Sequence, residues 1–366
     1  MRILIAGLTT RAMAESARRA GRDVLTVDYF GDLDQKRLCE NLSLRERGIA
    51  YSSKAIVRVV RALAYDAVVY CGGFENHPGL VAELARGGAL LGNGPEALRR
   101  VRNPRALFPA LAAQGFAVPR SVACGEPPPD DGAWLLKPLR SGGGQGIRVW
   151  DGRPLSPGHF LQEYVDGVPA SAVFVADGER SLVIGWSEQV RGPRGFLYGG
   201  NILPLDAPQV AFAEVRAIAE CLTREFALRG LNGFDFVLSG ARPIVVEVNP
   251  RYCASMELVE RAAGVSVFEL HLAGCRGAVP AAPAAPGSGY WGKAIVYARE
   301  VTRVGDTRRW IERGVRDVPH PDDTIGPGEP ICTVFAWGPS RTACVERLRV
   351  EEETILSEVS RELASP

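Results

Sequence analysis

Lys137 closes the apolar run Trp134-Leu135-Leu136, and a few residues later the chain reads Ser141-Gly142-Gly143-Gly144-Gln145-Gly146. Glycines at that density let backbone N–H groups approach an anion closely, and a lysine at the end of the preceding strand brings a point charge to the same place. The run lacks the Gly-Lys-Ser/Thr of a P-loop and does not open a helix as a dinucleotide fingerprint does, so the expectation is a hairpin loop folded over phosphates. A flexible turn is the plainer reading. Against it stands the rarity of lysine: the chain holds only Lys36, Lys54, Lys137 and Lys293 among 43 basic residues.

A second constellation is Asp235 with Glu247 and Asn249. If strands 233–238 and 243–249 turn around Gly240-Ala241, Asp235 falls opposite Glu247 to within one residue and Asn249 shares the Glu247 face. Ile244-Val245-Val246 gives this strand apolar side chains on both faces, which predicts burial, and a buried unpaired carboxylate is costly. A hard cation such as magnesium relieves that cost and favours one or two carboxylates shared with phosphate oxygens. Surface acids on a solvated hairpin would come with polar alternation, which Ile-Val-Val-Glu-Val-Asn does not show. Arg251 could reach the same phosphates as a charged clamp. His77, His159, His271 and His320 show neither metal spacing nor a nucleophile partner, and no Gly-x-Ser-x-Gly elbow appears, which disfavours covalent hydrolase chemistry.

The elements that must position these residues alternate at first between strand and helix. Ile3-Leu4-Ile5-Ala6 is the kind of run buried on both faces of a parallel sheet, residues 11–20 have helical spacing ended by Gly21, and strands at 24–28 and 67–70 precede a helix over 79–86. This predicts an open α/β sheet with ligands at the carboxyl ends of its strands, placing Thr9-Thr10-Arg11 and Gly72-Gly73-Phe74-Glu75 on one rim. Thr9, Thr10 and Arg11 could hold a substrate carboxylate at the helix start, or the threonines could simply cap it. Glu75 could bind an incoming amine. From Trp134 the pattern predicts antiparallel hairpins at 134–137, 146–150, 160–164, 171–175 and 181–186, then a helix over 209–226 before the hairpin of Asp235 and Glu247. Tyr198 and Asn201 could close the site from this region. A proline-rich loop at 125–132 and a linker at 278–288, containing the Ala/Pro run 281–286, punctuate the chain, which ends in strands at 293–297 and 331–335 and an amphipathic helix over 341–363.

With 43 basic and 42 acidic side chains the formal net charge is +1, without the basic excess that nucleic-acid or anionic-membrane binding requires. No apolar run of about 20 residues offers a membrane span. Eight scattered cysteines with no C-x-x-C pair predict reduced, buried thiols in a cytoplasmic protein.

Taken in chain order, these pieces resemble the ATP-grasp superfamily: an α/β start, Lys137 with its glycine loop, the segment Gln162-Glu163-Tyr164-Val165-Asp166-Gly167, and Asp235 with Glu247-Val248-Asn249-Pro250-Arg251. The resemblance implies an α/β class with an N-terminal open parallel domain (1–102), a small antiparallel ATP lid (103–170), an antiparallel α+β catalytic core (171–280), and a linker with C-terminal strands and helix (281–366). By that likeness the cofactors are ATP and Mg2+, or Mn2+ in its place. Lys137 would contact the α- and β-phosphates, residues 141–146 close over the terminal phosphates, and Glu163, Tyr164 and Val165 meet adenine through backbone groups. Asp235, Glu247 and Asn249 would hold the metal, with Arg251 and Asn249 acting on the transferred phosphoryl group. Where the superfamily has a first nucleotide-binding lysine, this chain reads Asn103-Pro104-Arg105, so Arg105 or Arg102 would substitute. Gly73-Phe74-Glu75, Asn249-Pro250-Arg251, and the stretches 291–297 and 328–335 are similar to carboxylate–amine ligases of one-carbon carrier biosynthesis, such as the tyramine–glutamate ligase of methanofuran formation and proteins linked to tetrahydromethanopterin. The implied activity is ADP-forming ligation of a small acid to a small amine. The implied partners are those substrates and, at most, a second copy of the chain. A nucleotide-binding module without turnover and a biotin-carboxylase-like enzyme are the alternatives.

Overall fold

The apolar runs at the start of the chain form a five-stranded parallel sheet, ordered Glu40–Ser43, Asp23–Asp28, Arg2–Ala6, Ala67–Tyr70, Ala89–Leu90, in a computed structural model that describes residues 1–127, 130–282 and 287–363. Ile3 and Ile5 pack with Met13 and Ala17 on one face while Leu4 and Ala6 pack with Ile56 and Leu84 on the other, which is why this strand is apolar without alternation. Helix Arg11–Arg19 follows it, and the expected helix at 79–86 is Pro78–Leu84, begun by a proline that has no N–H to leave unpaired. Strand order reverses beside Arg2–Ala6, so the crevice of this sheet opens between Gly7 and Gly72.

The hairpins from Trp134 onward divide between two sheets. Ser121–Ala123, His159–Glu163, Trp134–Pro138 and Arg148–Val149 make a small antiparallel sheet over its own core of Trp134, Leu136 and Leu161. The others join a seven-stranded sheet ordered Arg242–Asn249, Arg229–Ser239, Val168–Asp177, Ser181–Arg191, Tyr198–Leu203, Tyr290–Tyr297, Pro330–Gly338. Helix Gln209–Phe226 buries Val215, Ile218, Leu222 and Phe226, a stripe at helical spacing, in one cluster with Phe174, Phe234 and Phe236. The two tail strands extend this sheet rather than standing apart, and helix Arg341–Leu363 packs on them. Parts of two sequence-predicted connections, 128–129 and 283–286, lie outside the described residues.

Arg11 joins three parts of the chain. Only 1% exposed, its guanidinium donates to Glu257 of the core, to Glu15 one turn along its own helix, and to Asp317 of the C-terminal segment. Lys293 reaches the same Glu257 at 2.8 Å. Of the cysteines, Cys71, Cys253, Cys332 and Cys344 are buried, Cys39, Cys221 and Cys275 are half-buried, and Cys124 is exposed, so uniform thiol burial does not hold. Among the described residues no helix is long and apolar enough to cross a membrane.

Candidate active site

A β-bulge sets the geometry of the site. Asp235 pairs with Glu247 and Phe236 with Val245, leaving Val246 as the extra residue between the two strands. A bulge takes one residue out of the ladder and re-aims its neighbours. The Val246 carbonyl accepts from Gln162 Nε2 at 3.1 Å and from Lys137 Nζ at 3.4 Å, while Glu247 comes directly opposite Asp235. Asn249 donates to Asp235 Oδ2 at 3.1 Å, and Gln189 donates to Oδ1 at 2.8 Å. Burial on both faces, expected for this strand, is replaced by Val245 and Val248 in the core and Val246 and Glu247 on a cavity wall.

Burial and the facing Glu247 carboxylate push the Asp235 carboxyl up to about 7. Glu247 withstands the same burial because Arg102 and Lys137 hold it below the usual carboxylate range. Burial lowers the Lys137 ammonium, against the pull of Glu247 and Asp235. Its Nζ donates to Gln162 Oε1 at 3.0 Å. Arg251 donates from Nε to Glu75 Oε1 at 2.9 Å and from Nη2 to Asn249 Oδ1 at 3.2 Å.

The glycine loop is seated from both ends. The Ser141 carbonyl accepts from Arg102 Nη2 at 3.1 Å and Asn76 Nδ2 at 3.2 Å, and the Gly143 carbonyl accepts from the Tyr198 N–H at 3.0 Å. Gly144 has φ +76, and a β-carbon there would stand 1.8 Å from the Phe196 carbonyl oxygen. Lys137, Gly143, Gly144, Asp235, Glu247 and Arg251 line one cavity of about 250 Å3. Glu163, Tyr164, Val165, Tyr198, Asn201 and Asn249 border it too, and the Tyr198 hydroxyl donates to Asn201 Oδ1.

Several sequence-predicted site residues are placed elsewhere. Arg11 is spent on the joint described above, and the Thr10 hydroxyl donates to Asp28 at 2.7 Å, so neither a carboxylate site nor a threonine cap forms; Thr9 is exposed and does not line the cavity. Glu75 is not an open carboxylate awaiting an amine: it is 1% exposed, with Arg251 on one oxygen and the Gly73 N–H, at 2.6 Å, on the other. Arg105 is exposed and pairs with Glu126 at 2.9 Å, away from the cavity; of the two arginines it is Arg102 that reaches a cavity residue, donating to Glu247. The N–H groups of Glu163 and Tyr164 already donate to the Arg120 and Ala133 carbonyls, so neither is open to a base. Ser141, Gly142, Gln145 and Gly146 shape the loop without lining the cavity. Gln162 and Gln189 were missed. Gln162 alternates with Tyr164 along a visible strand and had a detectable signal, whereas Gln189 reaches Asp235 only through sheet order.

Residues 101–255 match the family model described as the ATP-grasp domain. With an uncharacterised protein of Methanocaldococcus jannaschii the chain shares 24% identity over 359 residues, 92% of this chain and 88% of that one. A carbamoyl phosphate synthase large chain of Kineococcus radiotolerans is 26% identical over 232 residues, 55% of this chain, which spans only 20% of that relative's length. Among solved structures, a biotin carboxylase of Campylobacter jejuni superposes with a TM-score of 0.73 at 15% identity, covering 95% of this chain and 90% of that one. An L-amino acid ligase of Bacillus licheniformis gives 0.72 at 15%, covering 96% and 97%. The fold is the ATP-grasp fold, and residues 101–255 match the ATP-grasp domain model.

Proposed function

We propose that this chain is an ADP-forming carboxylate–amine ligase acting on small amino-acid-like substrates. The observation that carries the proposal is the single cavity in which Lys137, the Asp235–Glu247 pair and Arg251 meet. Two carboxylates facing each other, one pushed up to about 7, fit a dication that takes its remaining ligands from phosphate. Asp235, Glu247 and Asn249 would hold Mg2+, which would neutralise charge on the transferring phosphoryl group.

In this reading Lys137 and the glycine loop bind the phosphates, and Glu163, Tyr164 and Val165 border the base. A substrate carboxylate oxygen attacks the γ-phosphorus and ADP leaves; the amine then attacks the acyl carbon, loses a proton, and inorganic phosphate departs. Arg251 neutralises charge on the transferred group with Asn249 as a polar neighbour acting on it, Glu75 positions Arg251, and the lid excludes water that would hydrolyse the acyl phosphate. Tyr198 and Asn201 border the substrate side. A place in one-carbon carrier formation, of the methanofuran or tetrahydromethanopterin type, belongs to the same proposal and rests on the motif likenesses at 73–75, 291–297 and 328–335.

The test is ADP release by purified protein with ATP, Mg2+ and panels of acids and amines. Release that requires one acid and one amine supports the ligase. Saturable ATP binding with no ADP under any mixture would instead mark a binding module, and release driven by bicarbonate and biotin a carboxylase.

A further inference from the structure

Arg102 stands where a metal would be expected to draw on Glu247. It follows helix Pro95–Val101, and its Nη1 donates to Glu247 Oε1 at 2.6 Å and to the Val248 carbonyl at 2.9 Å. Nη2 donates to Asn76 Oδ1 at 3.0 Å and to the Ser141 carbonyl at 3.1 Å, while the buried Nε has no partner. One guanidinium thus ties the metal carboxylate to the glycine loop and to the N-terminal sheet's rim.

We propose that Arg102 is an exchangeable cation: it neutralises Glu247 until the metal–nucleotide arrives, then passes to the phosphates and frees the Ser141 end of the glycine loop. The proposal rests on the ligase reading above. A dication on Glu247 would meet a guanidinium at contact distance, and that repulsion in a partly buried cavity drives Arg102 off the carboxylate. The side chain has somewhere to go. Its planar fork suits phosphate oxygens, and a buried N–H without an acceptor means that its present pose leaves bonding unmet. Because Nη2 is one of two donors on the Ser141 carbonyl, its departure leaves only the Asn76 amide of that pair. Metal arrival and loop release become one event.

Calorimetric titration of wild type, Arg102→Ala and Arg102→Lys with Mn2+ alone, and with Mg2+ plus a non-hydrolysable ATP analogue, tests the exchange. In Arg102→Ala, Mn2+ alone should bind about tenfold tighter, since the two carboxylates lose their guanidinium, while the Mg2+–analogue binds about tenfold weaker. Hydrogen exchange over 139–147 should also quicken in the ligand-free variant. A merely structural arginine would weaken both affinities together, and that outcome, or no change in either, overturns the proposal. Should Arg102→Ala fail to fold, Arg102→Lys decides: Mn2+ affinity near wild type with weaker analogue binding supports the exchange, and equal losses reject it. If wild type binds no analogue, the ligase reading fails, while the Mn2+ titrations still report on Arg102.

Discussion

Glu247 is the carboxylate on which the bulge, Lys137 and Arg102 converge, so small changes there should separate chemistry from folding. Glu247→Gln keeps shape and hydrogen bonding but removes the charge of the proposed metal ligand; ADP release should fall by about two orders of magnitude or more, with the circular dichroism of a folded chain. Unchanged Mg2+ dependence would remove Glu247 from the metal site. Lys137→Ala should act mainly on nucleotide affinity, weakening it about tenfold in a binding titration. A different residue governs the response to acid. His271 accepts the Leu231 N–H on Nδ1 at 3.0 Å and lies 3.2 Å from the Leu91 carbonyl on Nε2, an arrangement that suits the neutral ring. Burial takes its pKa from 6.5 down to about 4. Below the higher value the unfolded chain binds a proton that the folded chain refuses, so this contribution is intact at neutral pH and declines as pH falls through that window. The loss reaches about 3 kcal/mol at its lower end. Urea midpoints measured across the window should slope less in His271→Asn than in wild type; parallel slopes would exonerate His271.

Among the elements, the glycine loop gives the sharpest contrast between neighbours. Gly143 and Gly144 both have positive φ, but a β-carbon meets nothing within 4 Å at Gly143 and the Phe196 carbonyl at Gly144. Gly143→Ala should show only the left-handed backbone cost of about 1 kcal/mol. Gly144→Ala should unseat the loop and weaken nucleotide binding well beyond that, a difference readable in one titration series. Many of the strands and hairpins were legible in the sequence because continuous apolar runs and short glycine-bounded strands are local patterns, whereas the order of strands within each sheet was not. The bulge at Val246 was not, since nothing in Ile-Val-Val-Glu-Val-Asn says which residue leaves the ladder, and yet it decides what Lys137 and Gln162 bond.

At the scale of the molecule, Arg11 holds the N-terminal sheet, the core and the C-terminal segment together through partners as distant in sequence as Glu257 and Asp317. Such a role is invisible locally, which is why a rim arginine after two threonines reads as a ligand residue. Arg11→Met strands several buried carboxylates and should cost about 3–5 kcal/mol in urea unfolding. A loss below about 1 kcal/mol would show that the joint is held by packing alone. Movement of the small four-stranded sheet can be watched without redesigning the chain. Cys124, the exposed cysteine, directly follows strand Ser121–Ala123 of that sheet, while the other seven are at least half-buried. A maleimide dye should therefore mark the proposed lid selectively in the native sequence, and a fluorescence change on mixing with nucleotide would time its closing molecule by molecule.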